Sequence, residues 1–461
     1  MSHSGGREPT VSLSLLDATM VGIGAMIGAG IFVLTGLAVE ISGPAAILAF
    51  ALNGGVTAFT ALSYAELAAA IPRNGGGYAY VREVFSAPVS FVMGWTRWFT
   101  YMIAGSLYAL GFSSNFIEFG HIYGITLPGP PVLYALGAVA VLVALNALST
   151  EASGRGETAI TLVKIAILVV FVGFGLTATQ VNEFDPLFTN GALSVLPAMG
   201  LTFIAFQGYD LIATVTEEVE NPQKNIPRAI LLSVVVTVIV YLFVVFVAIG
   251  TLGADGLAGA GETAIAQAAE GFMPRFPLIG TGAALIAFGA VFSTISALNA
   301  VVIGSSRVAF AMGRERQLPA ALGRFHYRYG TPLVAILASA VVMLIAVVVV
   351  PIRIVGNLAS LFSLLGFIIV NYALIRLRRR QPNLQRPFKV PYYPLTPVLG
   401  IVCNLLLGLF IDPFTWVLAL GWLAVGGGVY LVLSRRGITG PPTTPEIQEP
   451  EPIQTPEQTD D

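Results

Sequence analysis

About twelve runs of roughly 18 to 25 apolar residues follow one another through this chain, each long enough to cross a ~30 Å hydrocarbon core. They lie near 17–38, 44–69, 88–112, 131–149, 158–178, 195–215, 228–251, 278–305, 331–350, 354–375, 394–411 and 413–434. The runs are continuous and do not alternate with period two, so they read as helices and not as barrel strands. Only 10% of the 461 residues are charged and 56% are hydrophobic, against about 25% charged in a soluble domain. The expectation is an all-α polytopic membrane protein of 12 transmembrane helices, with the lipid bilayer as its solvent. Asp17 is placed to cap the first run, Pro44 and Pro88 to open the second and third, and Gly330-Thr331-Pro332 to open the ninth. The first run continues well past a signal-peptide core without a convincing cleavage site, so the first span is expected to stay in the mature protein.

Basic residues give an orientation. With the N-terminus in the cytoplasm, the inner loops receive Arg73, Arg82, Arg155, Lys224, Arg228, Arg307 through Arg328, Arg376 through Lys389, Arg435 and Arg436, and the outer loops only Arg275 and Arg353. This asymmetry predicts cytoplasmic N- and C-termini in a multi-pass protein of the plasma membrane. The segment 1–16 is then a cytoplasmic lead-in. The Pro-, Thr- and Glu-rich stretch 437–461 reads as a disordered cytoplasmic tail, regulatory or merely solubilising. A net charge of −2 implies no nucleic-acid partner, and the single Cys403 allows no intrachain disulfide.

Two runs contradict themselves. Gly22-Ile23-Gly24-Ala25-Met26-Ile27-Gly28-Ala29-Gly30-Ile31-Phe32 holds four glycines within the first span, where an unpaired backbone amide or carbonyl costs several kcal/mol unless it lines a cavity or is covered by protein. Either the small residues let two helices pack closely, or the helix is broken and its freed amides and positive half-helix end face an anionic group. The sixth span carries Pro197 and Gly200, then Gln207, Gly208 and Asp210. Interruptions in spans one and six occupy corresponding places in two five-helix halves, the best sequence pointer to an inverted repeat with a midplane site.

The chain resembles the amino acid, polyamine and organocation (APC) transporter superfamily, in its proton-coupled amino acid permease type. The resemblance rests on Gly24 to Phe32, on Ser63-Tyr64-Ala65-Glu66-Leu67 with Ile71-Pro72-Arg73-Asn74-Gly75-Gly76-Gly77-Tyr78, and on Gly94-Trp95. It continues through Phe206-Gln207-Gly208-Tyr209-Asp210, the loop from Glu217 to Ile230, Ser305-Ser306-Arg307 and Ala311-Met312-Gly313-Arg314-Glu315, covering roughly residues 15 to 435. It implies a 5+5 inverted repeat with discontinuous helices 1 and 6: repeats at 17–178 and 195–375, helices 11 and 12 at 394–434, and alternating access between them. It further implies that amides at Gly28, Ala29 and Gly30, with Ile27 beside them, hold a substrate carboxylate. Carbonyls of Phe203, Ile204, Ala205, Phe206 and Gln207 would then receive its ammonium, with Phe203 or Phe206 as a closing aromatic or a packing one.

Lys164 lies within the fifth span, where a lysine costs ~2.5 to 3.5 kcal/mol on insertion scales and by default marks function. Its stem is also long enough to snorkel to the headgroups. In proton-coupled members of the superfamily a lysine in the matching span stands where sodium-coupled relatives bind an ion, so the resemblance makes Lys164 the proton-coupling group and the proton a partner.

Glu66 reads as an inner gate paired with Arg73 or another base, or as a solvated interfacial carboxylate. Asp210 reads as a cap, an ion-pair partner or a cation-selective pocket group. Arg97, between Trp95 and Trp98, is free to stack, snorkel or pair with Glu66 or Asp210. Ser293, Thr294, Ser296 and Asn299 are placed to make packing hydrogen bonds.

Phosphate-loop and zinc-type motifs are absent, and the three histidines lie in separate polar segments. No enzyme, cofactor or metal is expected. The functional expectation is import of an L-amino acid by proton symport. Within the fold the alternatives are an exchanger or a cationic amino acid or polyamine carrier, and outside it a transport-silent sensor or scaffold. Oligomeric state and side-chain specificity are not legible.

Overall fold

A computed structural model describes residues 13–73, 75–148, 154–277 and 280–435, with backbone alone for 154–157. The expected tail at 437–461 and the first part of the lead-in lie outside the described residues. The chain is helical, with α1 (Leu15–Met26), α2 (Ala29–Ser42), α3 (Ala46–Ala70), α4 (Gly76–Val84), α5 (Ala87–Ile122), α6 (Pro131–Leu148), α7 (Gly154–Ala178) and α8 (Val195–Thr202). The second part holds α9 (Pro222–Ala260), α10 (Ala264–Glu270), α11 (Gly282–Arg314), α12 (Leu333–Val349), α13 (Ile352–Arg380), α14 (Leu395–Leu409) and α15 (Pro413–Arg435). Among the described residues eight helical stretches are long and apolar enough to cross a bilayer, and α12 and α14 are shorter apolar helices.

The apolar surface is divided as a lipid solvent requires. The stretch from α1 to α3 is almost wholly enclosed by other helices, whereas α15 is mostly bare. Leu133 and Val141 on α6, Val341 and Val348 on α12, and Val417 and Leu420 on α15 are all exposed. In water such a surface would aggregate; in hydrocarbon it is the proper exterior.

Local chemistry sets the helix ends, with some departures from expectation. Ser14, not Asp17, caps α1: its Oγ accepts from the Asp17 amide at 3.2 Å while Asp17 Oδ2 accepts from the Ser14 amide at 3.0 Å. Asp17 is therefore the reciprocal half of a capping box. Pro88 stands in the first turn of α5 and Pro332 immediately precedes α12, as expected. The seventh span starts ahead of the apolar run at 228–251. That helix starts at Pro222, after Asn221 in the left-handed conformation (φ 45°), and absorbs Pro227 in its interior. An earlier proline whose missing N–H has no helical partner to lose is the better starting residue.

The two ends of the bundle differ. One carries the arginine-rich connections, tied by Arg82 to Glu315 and by Arg378 to Glu66, and there Leu13 exchanges backbone bonds with Glu218 and Glu220. The other has the exposed pair Arg353–Glu40 at 2.6 Å.

Candidate functional site

The first span breaks where its glycines cluster. α1 stops at Met26, Ile27 (ψ 75°) and Gly28 (ψ −139°) leave helical geometry, and α2 starts at Ala29. The last carbonyls of α1 lack the amides of a next helical turn, though Met26 O accepts from the Gly28 amide at 2.8 Å, and the first amides of α2 have no helical carbonyl behind, the general condition of helix ends. Side chains from three other helices take up the carbonyls. Lys164 Nζ on α7 donates to Gly24 O at 3.0 Å, Tyr241 Oη on α9 to Met26 O at 2.6 Å, and Ser293 Oγ on α11 to Ile27 O at 2.6 Å.

The second break falls at Gln207 and Gly208, not at Pro197 and Gly200. Pro197 and Gly200 sit inside α8. Pro197 is the third residue of that helix, where an amide would lack an intrahelical partner anyway, and Gly200 makes room for Ile411, whose Cγ1 a Cβ would meet at 2.9 Å. The helix instead tightens to a 3₁₀ turn at Phe203–Phe206, becomes extended at Gln207 (φ −89°, ψ 151°), turns through Gly208 at φ 130°, and resumes as 3₁₀ at Tyr209–Thr214. Ser360 Oγ accepts from the Ile204 amide at 3.0 Å, and Tyr241 Oη lies 3.1 Å from Ala205 O.

The breaks interlock through one glycine each. A Cβ on Gly30 would come within 2.5 Å of Ala205 Cα, and one on Gly208 within 2.7 Å of the Ala25 carbonyl carbon and the Met26 nitrogen. Only glycine permits these backbone approaches, and at Gly208 the positive φ adds a second reason.

Beside the crossing is a small cavity of ≈ 20 Å³, room for about one water. Its wall includes Ala25, Tyr108, Gln207, Asp210 and Ala297. Ala25 and Asp210 also line a vestibule of ≈ 570 Å³ that runs past Asn299 and Arg307 to Tyr78 and Glu218 at the arginine-rich end. That size is typical of small-molecule sites.

Of the nine residues expected to bind substrate, Gln207 lines the small cavity. Phe203 and Phe206 are packed, Phe203 with its ring 6.0 Å from Phe367 and Phe206 5.3 Å from Tyr241. The Ile204 carbonyl already accepts from the Gln207 amide, and the Ala205 carbonyl lies 3.1 Å from Tyr241 Oη, whose proton goes to Met26 O. Ile27, Gly28, Ala29 and Gly30 form the first break itself, directly against the second.

The charged candidates find definite partners. Arg97 on α5 pairs with Asp210 and donates to Tyr101 Oη at 2.8 Å; both side chains of the pair are about 95% buried, and Asp210 Oδ1 also accepts from the Gly208 amide at 3.2 Å. Glu66 is fully buried and its base is not Arg73. Arg378 grips it with Nε at 2.7 Å and Nη2 at 2.5 Å, and the Val390 amide adds a third bond at 2.6 Å. A bidentate fork satisfies a dry carboxylate better than one distant charge. At the vestibule mouth Tyr78 donates to Glu315 Oε2 at 2.5 Å; burial first and the adjacent carboxylate second push its phenol above the ordinary value, so it remains a donor.

Sequence reasoning missed Tyr241, Ser360 and Arg378. Each is a polar group within or at the end of an apolar run, the one available signal, but none has a motif that says what it faces. Ser293, read as a packing group, bonds the first break directly.

The amino acid permease family profile matches residues 13–425. The chain is 30% identical over 450 residues to the branched-chain amino acid permease BcaP of Bacillus subtilis, covering 94% of this chain and 95% of that one. It is 29% identical to the methylthioribose transporter of the same organism, covering 94% and 96%, and 30% identical to its serine/threonine exchanger SteT, covering 84% and 88%. A helical bundle with two interlocked broken spans beside a cavity, and that match over most of its length, make this chain a member of the amino acid permease family of the APC superfamily, a membrane transporter and not an enzyme.

Proposed function

We propose that the protein imports L-amino acids across the plasma membrane by alternating access, with proton symport as the driving step. The observation that carries this reading is the meeting of two backbone breaks beside one cavity. The α2 amides suit a carboxylate and carbonyls of the 3₁₀ segment suit an ammonium, so the pair fits a zwitterion. The carboxylate would lie at Gly28, Ala29 and Gly30 beside Ile27, the ammonium among Phe203, Ile204, Ala205, Phe206 and Gln207. With ≈ 20 Å³ beside the crossing, the breaks part to admit substrate, and Phe203 or Phe206 closes over it.

Twelve spans follow when the first apolar stretch is taken as two crossings and α5, α12 and α14 join the others. In two inverted five-helix repeats, α3 and α9 are the second members and α5 and α11 the third. These two pairs form the most extensive helix contacts in the molecule, which supports the repeat. The arginine-rich end is then cytoplasmic, by the charge asymmetry of the loops, and the vestibule opens inward.

Lys164 is the proton carrier in this reading. Its ammonium is buried and holds the Gly24 carbonyl three residues before the first break, so loss of its proton would alter the bond that fixes the end of α1. Glu66 with Arg378 fastens the inner end of α3 to α13 and the connection after it.

Likeness to the serine/threonine exchanger favours a second reading, obligatory exchange of one amino acid for another. Uptake of a labelled L-amino acid panel into proteoliposomes separates them. Symport predicts accumulation in empty vesicles under an inward proton gradient without sodium; exchange predicts uptake only into vesicles preloaded with amino acid. A parent that moves no amino acid under either condition overturns both.

A further inference from the structure

Asp210 is an anion in the wall of the small cavity, and it lies at the start of the 3₁₀ segment that forms the second break. A carboxylate there would by itself select cationic substrates. It does not stand by itself. Arg97, reaching from α5 across 113 positions of sequence, covers it with a guanidinium as buried as the carboxylate. The remaining charges of the vestibule wall, Glu218 and Arg307, do not line the small cavity.

Two features show what Arg97 contributes. Its Nη1 is buried without a hydrogen-bond partner in the structure, although a guanidinium offers five N–H donors and its desolvation is costly. Its carbon lies 4.9 Å from the Tyr101 ring centre and 5.9 Å from that of Phe367, so it is held over aromatic faces as a cation. Charge, more than a full set of hydrogen bonds, is what this position supplies.

We propose that Arg97 is a specificity-determining residue that neutralises Asp210 and thereby restricts the site to amino acids without net side-chain charge. The inference rests on the amino acid transport reading and names the substrate class within it. An added cationic side chain meets Arg97, and an added anionic one meets Asp210. A side chain of either sign displaces one member of a dry pair and leaves the other uncompensated, a large penalty in low dielectric. Removing one member should open the site to the opposite charge: Arg97→Met exposes the carboxylate to lysine, and Asp210→Asn exposes the guanidinium, with its unpartnered Nη1, to glutamate.

The test uses full-length protein in proteoliposomes, with the neutral amino acid that the parent transports best as tracer and L-lysine and L-glutamate as competitors. In the parent both competitors should be at least about tenfold weaker than neutral amino acids. Arg97→Met should improve lysine relative to the neutral tracer by about tenfold, and Asp210→Asn should improve glutamate by a similar factor. The double variant Arg97→Met/Asp210→Asn, neutral again, should return to the parental order. Lysine competing on equal terms in the parent, a single variant that still binds tracer without the shift, or a double variant that keeps the lysine preference each overturns the proposal. Should Arg97→Met fail to assemble, Asp210→Asn and the double variant decide it by the same criteria. A parent without amino acid transport overturns the transport reading; a transporting parent with unshifted variants overturns this inference alone.

Discussion

The two broken spans solve one problem differently. In the first, α-helix runs up to a gap of two residues and starts again at once, and the carbonyls left at Gly24, Met26 and Ile27 are held by Lys164, Tyr241 and Ser293 from three separate helices. In the second the α-helix ends at Thr202 and no α-helix follows before Pro222; the chain proceeds by 3₁₀ turns around Gln207 and Gly208. The first break is a short gap between two α-helices, fastened from outside. The second is a softer segment with poorer hydrogen-bond geometry, the kind of region that absorbs a change of shape. On the proposed alternating-access reading, the second break is the part expected to rearrange, and the first is the part on which Lys164 would act.

The largest effect that would break this comparison is at the interlock. Gly208→Ala forces a Cβ within 2.7 Å of α1 backbone at a φ of 130°, so loss of several kcal/mol is expected, seen as a protein that no longer holds its fold in detergent thermal unfolding. Full stability would mean that the breaks are not in contact. Next is Tyr241→Phe, which removes the one hydroxyl shared by Met26 O and Ala205 O. A cost of about 1 to 3 kcal/mol is expected, because Met26 O keeps only the Gly28 amide and the buried Ala205 carbonyl loses its polar neighbour, and an unchanged melting temperature would separate the two breaks energetically. Smaller still are Ser293→Ala, which touches only the first break, and Ser360→Ala, which touches only the second. Each should cost about 0.5 to 1.5 kcal/mol; amide exchange should rise near Ile27 in one and near Ile204 in the other, and a rise at both sites in either variant would erase the distinction. Gly55→Ala is the control, since its Cβ would meet nothing within 4 Å, and stability should stay level or rise slightly.

Legibility followed how local each cause was. The first break could be read because its cause lies in its own letters: Gly28 stands in the gap, with Gly24 and Gly30 in the helix ends on either side. In the second, Gln207 and Gly208 mark the place, whereas the equally conspicuous Pro197 and Gly200 do not: a proline in the first turn of a helix disrupts nothing, and Gly200 makes room for Ile411. Ser14 and Asp17 exchanged roles because a capping box is reciprocal, and either residue alone suggests the cap. The ion pairs were least accessible. Arg97 with Asp210 spans 113 positions and Glu66 with Arg378 spans 312; a lone sequence shows that a buried charge needs a partner, but only packing tells which one.

The central claim is that a proton on Lys164 is read by the first break. The most direct measurement compares parent and Lys164→Ala in proteoliposomes for both substrate binding and uptake under an inward proton gradient without sodium. The account predicts that the variant still binds amino acid but no longer accumulates it against a gradient. Accumulation at the parental level in Lys164→Ala, or uptake in the parent that responds to sodium and ignores the proton gradient, would contradict it and leave Lys164 as a fastening for α1.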